Sequence, residues 1–82
     1  MEMTDLEKGL WHAMKGDWLS SHEIVQNLHG RLPAWIHAYL HKIEGDIGNA
    51  NYWYAVAGIT PPEVQSMAEL EMILNDVLAL KP

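Results

Sequence analysis

The sequence predicts an all-α fold: two antiparallel helical hairpins followed by a C-terminal helix. Three observations carry this expectation. Apolar residues recur at helical spacings of three and four along the chain. Glycine–aspartate pairs at Gly16-Asp17 and Gly45-Asp46 break the pattern where a chain reversal is needed. No segment alternates apolar and polar residues over the length of a strand.

The elements follow in chain order. Thr4-Asp5-Leu6-Glu7 reads as a capping box, in which threonine and glutamate each satisfy a free backbone N–H. Leu6, Leu10, Trp11 and Met14 then mark a first helix, stopped at Gly16-Asp17. Asp17 caps a second helix, expected from about Trp18 to His29, with Gly30 as its C-terminal stop. Pro33 opens a third helix, where a missing N–H loses nothing. Trp35, Ile36, Tyr39, Leu40 and Ile43 form its apolar stripe. Asp46 caps a fourth helix, from about Ile47 to Ala57, which Gly58 closes. Thr60-Pro61-Pro62-Glu63 reads as a further helix start, and the final helix runs from about Ser66 to Leu80. Its apolar residues Met67, Leu70, Ile73, Leu74, Val77 and Leu78 are expected to fold back over the fourth helix.

Composition bounds the function classes. The chain has 82 residues, the length of a single domain with a modest core. It is 49% hydrophobic and 20% charged, which is globular and not disordered composition. Four tryptophans supply the bulk such a core needs. There is no cysteine, which removes disulfides, thiolate metal sites and thiol nucleophiles together. The net charge is −6, and the basic residues Lys8, Lys15, Arg31, Lys42 and Lys81 are scattered. Nucleic acid and anionic membranes need a clustered basic face, so neither is an expected partner. The chain shows no basic-then-apolar leader and no apolar run of membrane-spanning length, and a cytoplasmic protein is the expectation. Neither a phosphate-binding glycine loop nor a serine nucleophile elbow occurs.

The two Gly-Asp pairs are 29 residues apart, and the same offset places His12 on His41 and Pro33 on Pro62. The offset defines repeat-like units 4–33 and 34–62, with a C-terminal helix over 63–82. In the second unit, Gly45-Asp46, Ala50, Tyr54, Ala57 and Pro62 resemble the pattern of a tetratricopeptide repeat. Gly9, Gly16-Asp17, Ser21, Val25, Leu28 and Pro33 fill the matching roles in the first. The resemblance covers Thr4 to Pro62. It implies stacked helical hairpins used as a binding scaffold, with the last helix as a cap. His37 and His41 depart from it, standing where the repeat takes aliphatic or aromatic packing. The stretches from Gly16 to Glu23 and from Trp35 to Tyr54 also resemble small uncharacterised bacterial proteins. That likeness implies no catalytic role.

One polar constellation has the look of chemistry. His37, His41 and Glu44 stand at i, i+4 and i+7, within a narrow arc of one helix face. Asp46 follows in the turn, and His12 and His22 come from the first two helices. Two histidines one turn apart with a carboxylate can hold a divalent metal such as zinc, and His37, His41 and Glu44 are the candidate ligands. The same groups can move protons near neutral pH. Against both stands a structural reading, in which the imidazoles lie in the seam between the hairpins and hydrogen-bond to their surroundings. Asp17 and Asp46 are then helix caps, and Asn49 and Asn51 bond turn backbone. On the structural reading no cofactor is required.

Tyr52, Trp53 and Tyr54 point about 100° apart on a helix, so one is expected in the core and one at the surface. Trp18, Tyr39 and Tyr52 are candidate contacts for a partner protein. The functional expectation is a non-catalytic interaction or scaffold domain that binds a protein partner or itself. The alternative is a metal-binding or hydrolytic protein centred on the histidines.

Overall fold

Local chemistry sets the helix starts. In a computed structural model, which describes residues 2–81, the chain forms α1 (Asp5–Met14), α2 (Trp18–Val25), α3 (Arg31–Ile43), α4 (Ile47–Ala57) and α5 (Ser66–Leu78). No strand occurs among the described residues. The capping box at α1 is complete. Glu7 N–H donates to Thr4 Oγ1 at 3.1 Å, and Thr4 N–H donates to Glu7 Oε1 at 2.8 Å. Asp17 and Asp46 each accept one backbone N–H, from Ser20 and Asn49 respectively, at 3.2 Å. Each such cap is worth about 1 kcal/mol.

The two corners are geometric copies. Gly16 and Gly45 have φ of 81° and 89°, a conformation that disfavours any side chain. The next N–H, of Asp17 or Asp46, donates to His12 O or His41 O at 2.9 Å. Each corner reverses the chain, so α1 pairs with α2 and α3 with α4.

Four boundaries differ from the sequence reading. The second helix stops at Val25, and Gln26 to His29 form turns and loop. Gly30, with φ of 119°, is therefore not its stop but the residue before α3. Pro33 is the third residue of α3, still inside the turn whose N–H groups lack partners, and the first ladder bond runs from Ala34 N–H to Gly30 O. Thr60-Pro61-Pro62-Glu63 does not begin a helix. Pro62 disfavours helical backbone at Pro61, and α5 starts only after Gln65 and ends two residues short of Leu80.

Helix α3 is the axis of the molecule. It touches α1, α2, α4 and α5, and every residue from Leu32 to His41 is buried. The core joins Leu10 and Ala13 of α1, Val25 of α2, Trp35, Ile36 and Leu40 of α3, Ala50 and Tyr54 of α4, and Leu70, Ile73 and Val77 of α5. Gly9 lets α1 and α2 meet closely. A Cβ there would stand 2.7 Å from Val25 Cγ1, and Ser21 Oγ–H donates to Gly9 O at 2.7 Å.

The last helix does not fold back over α4. It lies on α3 and α1 and reaches α4 only through long side chains. The reason lies in its own stripe. Glu69 is drawn to α3 by donors on that helix, and Leu74, Val77 and Leu78 line a groove with Leu10 and Trp11 of α1. No helix among the described residues is long and apolar enough to cross a membrane.

Candidate functional site

Helical geometry divides the polar residues of α3 between opposite faces. Trp35, Tyr39 and Lys42 share one face, and His37, His41 and Glu44 lie about 200° around the axis from Trp35.

The histidine face meets α2 and α4. His22 of α2 joins His37 and His41 of α3, and one nitrogen from each lies within 4.8 Å of the others. The His37 and His41 rings stack with centroids 4.9 Å apart, and His22 stands edge-on to both at 4.7 and 5.4 Å. Tryptophans close the flanks. Trp18 stacks on His22 at 4.7 Å, and Trp53 stacks on His37 at 3.9 Å. Trp18 is itself anchored, because its Nε1–H donates to Leu40 O at 2.7 Å. His41 Nδ1 lies 2.6 Å from Glu44 Oε1; with the carboxylate accepting from Nδ1–H, the neutral ring carries its lone pair on Nε2.

Burial, and then the neighbouring imidazoles, press His37 down to about 4. Burial also lowers His22, with His41 adding to the effect. Both rings are neutral at pH 7. Neither His22 nor His37 has a hydrogen bond to another described residue. Their unpartnered nitrogens are not sealed from solvent, since His12 Nδ1 is the one buried unpartnered side-chain atom among the described residues.

The sequence-derived candidates are thus partly assembled. His37 and His41 come together as expected, and His22 completes the group. Glu44 does not share a grouping with His37; it bonds His41, and the third residue beside His37 and His41 is His22. A second grouping brings Glu44 and Asp46 within reach of His41, but both acids are exposed and Asp46 is occupied as the α4 cap. His12 stands apart. Its Nδ1 lies 3.5 Å from Asp17 Oδ2, and its ring packs edge-on to Trp11. As the 29-residue counterpart of His41, it serves its own corner and not the other's. Tyr39, offered as a partner contact, is 4% exposed and belongs to the core. Trp18 is half-buried against His22, while Tyr52 is 61% exposed and open to contact. Tyr54 is buried and Tyr52 exposed, as their angular spacing requires.

The opposite face of α3 holds a group that sequence reading missed. Glu69 of α5 is fully buried. Its Oε2 accepts from Trp35 Nε1–H at 3.0 Å and from Tyr54 O–H at 2.6 Å, and its Oε1 takes Lys42 Nζ. Burial and the bond to Glu69 raise the Tyr54 hydroxyl well above its ordinary value, so it remains a donor. The signal was present in the spacing: Glu69 lies one turn from Ile73, inside the stripe with Leu70 and Val77.

A third feature is apolar. Met3, Leu10, Trp11, Met14, Leu74 and Leu78 border a groove of about 150 Å³ between α1 and α5. Trp11 and Leu78 are half exposed there, and Lys15 Nζ sits 3.9 Å over the Trp11 ring. Glu7 and Lys81 pair at 2.6 Å nearby, which holds the Glu7 carboxyl down to about 2. Comparison of the chain with known protein families, curated proteins and solved structures finds no match.

Proposed function

We propose that the protein is a non-catalytic helical interaction domain that docks a second helical surface, first of all another copy of itself, in the groove between α1 and α5. One observation carries the reading. Met3, Trp11, Met14 and Leu78 are each at least two-fifths exposed, and all four border one groove. Scattered apolar residues are normal on a surface, but contiguous ones around a concavity suit partner binding. Tryptophan is a frequent anchor of interfaces, and methionine adapts to the shape opposite. A helix-in-groove contact matches a channel between two helices.

The resemblance to tetratricopeptide repeats supports the same reading, because such stacked hairpins are binding scaffolds. The matched geometry of the two Gly-Asp corners is consistent with it. A symmetric dimer through α1 and α5 would cover apolar surface that a chain of 82 residues leaves open. A chain with no basic cluster is not suited to nucleic acid.

Sedimentation equilibrium over a wide concentration range tests the assignment. The unsubstituted chain is expected to dimerise. Trp11→Ala and Leu78→Glu are expected to shift it to monomer while the helical dichroism stays intact. A chain that is monomeric throughout, or a dimer indifferent to both substitutions, overturns it.

A further inference from the structure

We propose that His22, His37 and His41 form a binding site for one divalent transition-metal ion of the zinc, cobalt, nickel or copper class, with a fourth position left to solvent. The site is independent of the α1–α5 groove and does not rest on the interaction reading.

The donor set comes first. Imidazole nitrogen is a preferred ligand of these ions, and three histidines with one open position is a recurrent arrangement. Zinc–nitrogen bonds of about 2.0–2.1 Å place tetrahedral ligand atoms roughly 3.3 Å apart. The three nitrogens already lie within 4.8 Å of one another, so closure needs a shift of about 1.5 Å at most, within the reach of small side-chain rotations. Two ligands come from successive turns of α3, and the third comes from α2 across the seam.

The second observation is that the nitrogens are open. His22 and His37 make no hydrogen bond to the described residues, and their nitrogens reach solvent, so an ion can take them without breaking a protein hydrogen bond. His41 is tied at Nδ1 to Glu44, which leaves Nε2 as its donor to an ion. A carboxylate on one ring nitrogen orients the ring and makes the other nitrogen a better donor. Glu44 is therefore a positioning residue for His41 and not a ligand.

Preorganisation is the third. The His22 and His37 rings are clamped face-on by Trp18 and Trp53, at interplanar angles of 8° and 12°. Trp18 is held by Leu40 O, so the clamp is fixed to the backbone of α3 itself.

Isothermal titration of the tag-free, chelator-stripped protein with Zn(II), together with the visible absorption of its Co(II) form, tests the proposal. One ion per chain is expected, with the melting temperature rising on addition of zinc, since a ligand of the folded state stabilises it. His22→Ala, His37→Ala and His41→Ala should each weaken binding tenfold or more. Glu44→Gln should weaken it by about tenfold. His12→Ala and His29→Ala should leave it unchanged. Helical dichroism checks that each variant folds. Should His37→Ala not fold, His22→Ala decides the matter, because His22 is only half-buried on a two-turn helix. Absence of binding by Zn(II), Co(II), Ni(II) and Cu(II) overturns the proposal. So does binding that survives loss of His22 and His37, or that is abolished by Asp46→Asn with the three histidines intact.

Discussion

Helix α3 carries two buried polar clusters on opposite faces, and they are built in opposite ways. On the α5 face a single carboxylate, Glu69, gathers three donors from two other helices. Both oxygens are occupied. On the α2 and α4 face three imidazoles crowd together with one hydrogen bond among them, from His41 to Glu44. The first cluster resembles a buried salt bridge completed by extra hydrogen bonds, the form in which burying charge is tolerated. The second leaves basic nitrogens uncommitted near the surface. Burial alone therefore does not distinguish the two clusters; what differs is how many hydrogen bonds to the described residues each completes.

The largest expected effect falls on the completed cluster. Glu69→Ala strips partners from Lys42, Trp35 and Tyr54 at once, two of them buried. Breaking a buried charged network by removing one partner costs about 3–5 kcal/mol. For a domain of this size that is a large share of its stability. Urea denaturation followed by dichroism should show the midpoint falling sharply or the variant failing to fold. A variant as stable as the parent would mean that Glu69 is no keystone, and the contrast between the faces would lose its structural half.

What the sequence disclosed, and what it hid, follows from the range of the interactions. The capping box at Thr4 and Glu7, the aspartate caps and the glycine corners depend on neighbours within a few residues, and they were legible. The His37–His41 pairing follows from helical periodicity alone. His22 entered only as a loose candidate, because its place in the group depends on how two hairpins stack. Glu69 was passed over for the same reason, although its spacing put it on the apolar stripe of α5. Its partners lie 15, 27 and 34 residues away, and a carboxylate on an amphipathic helix ordinarily faces water. Tyr39 was rightly placed in the apolar stripe of α3, but as a partner contact it fails because α5, expected over α4, covers it. The shortness of α2 escaped notice because Leu28 continues the apolar period past the last helical turn.

The next effect is acid sensitivity, and it belongs to the imidazole face alone. His37 titrates near 4 when folded and near 6.5 when unfolded. Between those values the unfolded chain binds a proton that the folded chain refuses. Stability is therefore complete above about pH 6.5 and declines as pH falls toward 4, by up to ~1.4 kcal/mol per unit for one such group. His22 is lowered in the same sense and steepens the decline. Glu7, lowered by Lys81, and Asp17, lowered by its bonds to Ser20, lose their contributions only as the pH falls through the ordinary carboxylate range and below it. The window from pH 6.5 to 5 thus isolates the histidines. Urea midpoints measured across it should fall with pH in the parent chain. A flat profile would show the imidazoles to be as solvated as ordinary surface histidines.

The smallest effect is the most informative about the contrast. His37→Leu fills much of the ring's volume, keeps an apolar surface against Trp53 and removes no hydrogen bond to the described residues. Such a swap removes no protein hydrogen bond and keeps roughly the same volume, the kind of core change that is tolerated best. At pH 7, without metal, the variant should stay within about 1 kcal/mol of the parent. Between pH 6.5 and 5 its stability curve should be flatter, because its principal proton-refusing group is gone. A loss comparable to that of Glu69→Ala would mean that His37 holds the helices as Glu69 does, and the two faces of α3 would then be alike. Near-neutrality at pH 7 combined with a flattened acid limb would show that His37, unlike Glu69, does not hold the helices together.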